Sequence, residues 1–177
     1  DTSWTYMIDD NFLLKVSSLG YKKEDILEWF RKVSTKALEN KPIDMTIANH
    51  FCKGNFKGYP LFSGLYDTVA PIICQIPYDG FFVEYDDERS GGFEPLAKVS
   101  SDKKVVLGLI TTKSPKLENE EDVIKRIHEA AKYVPLERLC LSPQCGFASC
   151  EIGNKLTEEE QWAKLKLVKE IADEVWG

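Results

Sequence analysis

The sequence has no long hydrophobic run, few histidines and no excess of basic residues. No stretch approaches the roughly 18 apolar residues that a membrane-spanning helix needs. The opening residues have neither the basic flank nor the apolar core of a signal peptide. The formal net charge of -6 argues against nucleic acid or an anionic membrane as the partner. We therefore expect no binding to nucleic acid and no association with a membrane.

Cysteine usage indicates where the protein works. The five cysteines include no C-x-x-C pair, and their odd number does not suit a disulfide framework. Without an export signal, these thiols indicate a reducing, cytoplasmic location, where cysteines serve metal binding or catalysis. The length of 177 residues, 43% of them hydrophobic, is sufficient for one globular domain.

Helices and strands alternate along the chain. Apolar residues at helical spacing predict helices over residues 23–39, 120–133 and from 157 to the end, with shorter ones at 67–75 and 93–99. Runs of strand character lie at residues 43–49, 80–85, 104–111 and 138–142. This alternation predicts an α/β fold of parallel (β/α) units.

The last helix has the clearest local signals. Thr157 and Glu160 have the spacing of a capping box, which predicts a helix start at that point. The spacing of the apolar residues predicts one apolar stripe, which comprises Trp162, Leu165, Val168, Ala172 and Val175.

Side chains that can bind a metal follow three of the four predicted strands. His50 and Cys52 follow the first, Glu84 ends the second, and Cys145 follows the last. Carboxyl ends of parallel strands meet at one edge of a sheet, where active sites form. One imidazole, two thiolates and one carboxylate form a set suited to tetrahedral zinc. The spacing alone also fits a simpler interpretation, since a cysteine at a strand end is often only a small buried apolar side chain.

Several segments resemble the back portion of the catalytic domain of cobalamin-independent methionine synthases, especially the shorter bacterial relatives. The resembling segments are HFCKGN at 50–55, FVEYDDERSG at 82–91, LSPQCGF at 141–147 and the tail from 162 to 177. The resemblance implies the back half of a TIM (β/α)8 barrel, with the front half absent from this chain. It also implies a Zn²⁺ cofactor held by His50, Cys52, Glu84 and Cys145.

The resemblance further implies a reaction. Zinc activates the thiol of homocysteine, which takes a methyl group from 5-methyltetrahydrofolate, the methyl-folate donor, to form methionine. Glu84 is implied as the ligand that the thiol displaces. Asp1 matches the final acid of a Gln-x-Asp-acid motif and is the expected substrate-binding residue.

One departure from the family pattern affects the proton donor. Where the longer synthases have a His-Ser-Pro segment, this chain has Lys113-Ser114-Pro115. Position alone assigns the role of proton donor to Lys113. The chemistry of the side chain does not favour it, because lysine is a poorer acid than histidine at neutral pH unless burial lowers its pKa.

Two other functions stay open. Relatives that keep the zinc ligands and change the acceptor would transfer an alkyl group to or from another thiol. Alternatively, the chain is an inactive zinc-binding half-domain, since a complete barrel usually takes about 250 residues. A half barrel exposes strand edges and apolar surface, so we expect self-association or pairing with a front-half polypeptide.

Overall fold

A computed structural model describes residues 3–148 and 150–177. Its α-helices are α1 (Asp10–Ser18), α2 (Lys23–Leu38), α3 (Ala70–Ile73), α4 (Glu120–Ala130) and α5 (Glu158–Trp176). Its strands are β1 (Ala48–Phe51), β2 (Asn55–Phe56), β3 (Tyr59–Pro60), β4 (Gly80–Glu84), β5 (Lys104–Ile110) and β6 (Leu139–Pro143). Short 3-10 turns cover Ser3–Ile8, Tyr66–Thr68, Glu88–Ser90, Glu94–Lys98 and Leu136–Arg138.

The main sheet is parallel, with strand order β1-β4-β5-β6. Helical segments connect its successive strands, so the predicted α/β class with parallel (β/α) units is confirmed. β2 and β3 form a separate antiparallel hairpin directly after β1, which the sequence patterns did not predict.

The two faces of the sheet have different neighbours. Phe81 and Val83 of β4 are buried among the helical segments, where they line a small apolar cavity with Ile73 and Leu96. The residue between them, Phe82, is 40% exposed because alternate side chains of a strand point to opposite faces. β5 is almost wholly buried, as expected of a central parallel strand.

The first strand begins later than predicted. Residues 43–49 read as strand, whereas the chain turns before β1 starts at Ala48. The carboxylate of Asp79, which immediately precedes β4, accepts hydrogen bonds from the backbone N–H of Ile47 at 2.6 Å and from Lys41 Nζ. This long-range contact fixes the entry to β1, and local propensity could not indicate it.

Helix α5 begins with the predicted capping box between Thr157 and Glu160. The predicted stripe is only partly correct: Val168 and Val175 pack against the core, but Trp162 is 60% exposed, and the buried residues are Lys164, Leu167 and Ile171. Lys164 is buried on the same side as Leu167 and Ile171, and it is paired there with Glu118 at 3.0 Å.

Three shorter differences also appear. The predicted helix at 67–75 is a 3-10 turn followed by α3, and the one at 93–99 is a 3-10 turn. α1 was not predicted; Asp9 caps its start by accepting a hydrogen bond from Phe12 N at 3.0 Å. None of the described helices is both long enough and apolar enough to cross a membrane.

Candidate metal centre

The fold brings the four predicted metal ligands together. His50 lies in β1, Cys52 follows it, Glu84 ends β4, and Cys145 comes two residues after β6. Their ligand atoms all lie within 4.8 Å of one another. The parallel register accounts for this convergence, since all three strands present their carboxyl ends at the same edge.

The donor set fits a zinc ion. Cys52 Sγ lies 3.0 Å from Cys145 Sγ, and His50 Nε2 lies 3.0 Å from Glu84 Oε1. Zinc bonds of about 2.0–2.3 Å place tetrahedral ligands roughly 3.3–3.8 Å apart, so modest side-chain movements suffice to surround an ion. Two thiolates with one imidazole and one carboxylate match the ligands that zinc prefers.

A sharp turn positions Cys52. Gly54 has φ +81°, and a Cβ at that position would lie 2.5 Å from Leu61 Cβ, so glycine is required there. The backbone N–H of Gly54 donates to Cys52 Sγ at 3.3 Å. The turn therefore both redirects the chain into the hairpin and supplies a donor to the sulfur.

Electrostatics favour a thiolate at Cys52. The hydrogen bond with Cys145 lowers the pKa of Cys52 to about 7, against opposing effects of burial and of the negative charge on Glu84. A thiolate is the form that binds a metal.

Glu84 is a buried carboxylate, with its side chain 2% exposed. Burial acts to raise the pKa of Glu84, but hydrogen bonds from His50, Gln144 and the Lys53 backbone outweigh it and hold the pKa below its ordinary value. Glu84 is therefore charged at neutral pH, as a metal ligand must be.

Gln144 and Lys53 are supporting residues that the sequence analysis missed. Gln144 Nε2 and the backbone N–H of Lys53 both donate to Glu84 Oε2, at 3.0 and 2.9 Å. The Lys53 side chain is buried and donates to Gly64 O and Ser90 Oγ. Burial lowers the pKa of Lys53 to about 8. The only sequence signal was the position of each residue beside a predicted ligand.

Two asparagines hold the loop that follows Cys145. Asn154 Nδ2 donates to Thr112 O at 2.8 Å and to Gly146 O at 3.3 Å. Asn55 Nδ2 donates to Thr112 Oγ1 at 3.2 Å and to Gly146 O at 3.5 Å. These bonds connect the ends of β5 and β6 with the hairpin.

The predicted proton donor lies on the same edge of the sheet. Lys113 Nζ is paired with Asp86 Oδ2 at 2.6 Å, and both side chains are largely buried. Asp86 comes two residues after Glu84. Asp1, the predicted substrate-binding residue, lies outside the described residues.

The remaining cysteines differ in environment. Cys74 is buried in the apolar core, and burial raises its pKa to about 12. Cys140 in β6 and Cys150 are half-buried. Among the described residues, no other group of three or more His, Cys, Asp or Glu side chains has the spacing of a metal site.

Comparison with known proteins places the chain among related sequences. A family model described as "Cobalamin-independent synthase, Catalytic domain" matches residues 7–174. Two Bacillus subtilis proteins, YxjG and YxjH, are 49% and 51% identical to this chain. Each match covers 99% of this chain and 47% of the relative's own length. The chain thus spans about half the length of these relatives.

A solved structure shows the same fold. The putative vitamin-B12 independent methionine synthase from Listeria monocytogenes is 36% identical and superposes with a TM-score of 0.75. The match covers 100% of this chain and 47% of that protein. The four parallel (β/α) units therefore have the fold predicted from the sequence.

Proposed function

The chain belongs to the cobalamin-independent synthase catalytic-domain family, and on that premise we propose that it serves zinc-dependent methyl transfer. The methyl group would pass from 5-methyltetrahydrofolate to the thiol of homocysteine, forming methionine. One observation carries the proposal, namely the convergence of His50, Cys52, Glu84 and Cys145 within 4.8 Å. The family's reaction needs an activated thiol, and this donor set suits the metal that activates one.

The four ligands have separate roles in this proposal. A bound zinc ion would supply Lewis acidity. It would lower the pKa of a coordinated thiol, so that the thiolate is available at neutral pH. Cys52, Cys145 and His50 would hold the metal, and Glu84 would be the ligand that an incoming thiol displaces, because it is the only hard oxygen donor of the four. Glu84 Oε2 accepts hydrogen bonds from Lys53 N and Gln144 Nε2, so Oε1 is the oxygen that would bind the metal.

Lys113 is proposed to protonate the amine that leaves when the methyl group is transferred. Its ammonium group is positioned by Asp86 at 2.6 Å, which supports a fixed donor at the carboxyl edge of the sheet. Asp1 is proposed to bind the substrate, on the strength of the motif match alone.

The chain is proposed to be the back half of a catalytic barrel. Its four parallel strands are half of the eight in a (β/α)8 barrel. The front half would come from the same polypeptide or from a separate one. A cytoplasmic location is part of the proposal, because reduced thiols are needed to bind the metal.

Metal analysis of the full-length native polypeptide tests this function. We expect one zinc per chain, and we expect Cys52→Ser and Cys145→Ser each to abolish stoichiometric zinc. Cys74→Ser is the matched control and should retain it, because Cys74 lies in the apolar core. Full zinc content in the Cys52→Ser/Cys145→Ser double variant would contradict the ligand assignment.

An activity assay separates this reaction from the other functions considered. Methyl transfer to homocysteine should occur with the folate donor and stop in the Cys52→Ser variant. Transfer only to or from a different thiol would favour the second function. Stoichiometric zinc without any turnover would favour an inactive zinc-binding domain.

A further inference from the structure

The two oxygens of the Glu84 carboxylate have different surroundings. Oε1 faces the other ligands, with His50 Nε2 at 3.0 Å. Oε2 accepts two hydrogen bonds, from Lys53 N at 2.9 Å and from Gln144 Nε2 at 3.0 Å. The carboxylate is therefore anchored through one oxygen and available through the other.

The backbone of Glu84 is fixed as well. Ser90 Oγ donates to its carbonyl oxygen at 2.8 Å, and the Tyr66 hydroxyl lies 3.2 Å from both its N and its O. Any movement of the carboxylate off a metal must therefore come from its side-chain torsions.

The amide of Gln144 can face Glu84 in only one way. A carboxylate only accepts hydrogen bonds, so turning the amide over would place oxygen against oxygen. The amide oxygen of Gln144 is buried and has no hydrogen-bond partner, although such a group is costly to leave unpaired. The backbone N–H of Gln144 donates to Ile110 O at 2.9 Å, which fixes the residue to the end of β5. The contact with Glu84 is thus what determines the orientation of this side chain.

We propose that Gln144 is a positioning residue that, with the Lys53 N–H, forms a two-donor seat for Glu84 Oε2. The seat presents only Oε1 to the metal and keeps the carboxylate hydrogen-bonded when a thiol displaces it. The inference rests on the proposed function and extends it, because it explains how a buried carboxylate acts as an exchangeable ligand.

The physical reason lies in the cost of a buried charge. A carboxylate released into an apolar environment is unfavourable unless it keeps hydrogen bonds. Without the Gln144 donor, Oε2 is freer to bind the metal together with Oε1, and the released state loses one of its two bonds. Both changes oppose displacement by a thiol. Loss of such outer partners of metal ligands typically changes metal affinity or activity by about 10–100-fold.

The test uses the full-length native polypeptide loaded with Co²⁺, whose absorption spectrum reports the metal's ligands. Homocysteine is titrated into the unsubstituted protein and into Gln144→Met, which has a similar length but no donor. We expect Gln144→Met to bind Co²⁺ while its dissociation constant for homocysteine rises by about tenfold or more. Gln75→Met, the same substitution at an exposed position, is the matched control and should stay within about twofold.

A second variant separates hydrogen-bond donation from packing. Gln144→Lys restores an N–H donor toward Glu84 and should recover most of the homocysteine affinity lost in Gln144→Met. An unchanged homocysteine affinity in Gln144→Met would contradict the proposed role of Gln144. An equal loss of homocysteine affinity in Gln144→Met and Gln144→Lys would also contradict it. If the unsubstituted protein binds no Co²⁺, or if its Co²⁺ spectrum does not change when homocysteine is added, the proposed function is contradicted. The proposed role of Gln144 is then contradicted as well. The two failures are distinguished by the behaviour of the unsubstituted protein.

Discussion

The ion pair between α5 and the loop after β5 offers a direct test of what stabilises this fold. Lys164 is fully buried, and its Nζ lies 3.0 Å from Glu118 Oε2 and 2.7 Å from Lys116 O. Glu118 Oε1 also accepts a hydrogen bond from Thr111 N at 2.9 Å. We expect Lys164→Met to destabilise the protein strongly, because it removes the cation and leaves the carboxylate behind.

The structure sets the size of the effect. Breaking a buried ion pair from one side costs about 3–5 kcal/mol. Glu118 is 19% exposed, so water replaces part of the lost interaction, and methionine preserves the packing of the lysine stem. We therefore expect the lower end of the range, about 3 kcal/mol, out of a total stability of about 5–15 kcal/mol.

Urea unfolding measures this change, with the midpoint falling while the slope against urea stays constant. The double variant Glu118→Gln/Lys164→Met leaves no unpaired charge, and its amide oxygen still accepts from Thr111 N. We expect the double variant to regain most of the loss and to unfold within about 1 kcal/mol of the unsubstituted protein. The Glu118→Gln single variant is measured alongside. A loss below about 1 kcal/mol in Lys164→Met, or a loss in the double variant equal to the sum of the two single losses, would refute the reasoning.

Three further predictions concern the thiols, the core and the open face of the sheet. With the metal removed by a chelator, the oxidant diamide should form a disulfide between Cys52 and Cys145, whose sulfurs lie 3.0 Å apart, and should leave the buried Cys74 unreacted. Peptide mapping that finds other pairings would contradict this prediction. Phe81→Ala should lower the free energy of unfolding by about 3–5 kcal/mol, as urea titration measures, since Phe81 is 1% exposed in the core. The 177-residue chain alone should self-associate or bind a front-half polypeptide, because Phe82 on the face away from the helices is 40% exposed. Light scattering across a dilution series tests this prediction. A stable monomer, even at low micromolar concentration, would contradict it.

Features that depend on neighbouring residues could be predicted from the sequence. The capping box of Thr157 and Glu160 acts over three residues, and it is present as predicted. The apolar run of β5 lies within a segment predicted as strand, and the structure has a largely buried strand there. The four metal-capable residues could be brought together because parallel strands share the direction of their carboxyl ends.

Features that depend on distant partners could not be predicted in this way. Asp79 fixes the start of β1 from 32 residues away, and Glu118 pairs with the buried Lys164 of α5 from 46 residues away. The contact of Gln144 with Glu84 spans 60 residues. Each is a polar contact between elements, and hydrophobic periodicity carries no information about such contacts.

The packing of the core and the geometry of the site depend on the same strand register. Phe81 and Val83 point into the helical layer, so period two places Phe82 and Glu84 on the opposite face. A slip by one residue would turn Glu84 into the apolar core and remove it from His50. In the observed register Glu84 lies beside Gly108, where a Cβ would lie 3.0 Å from Val83 O and 3.4 Å from Gln144 Cα. A side chain at position 108 would therefore press on the residue that holds Glu84. The apolar contacts that stabilise the sheet thus also determine which carboxylate reaches the candidate metal site and which amide reaches that carboxylate.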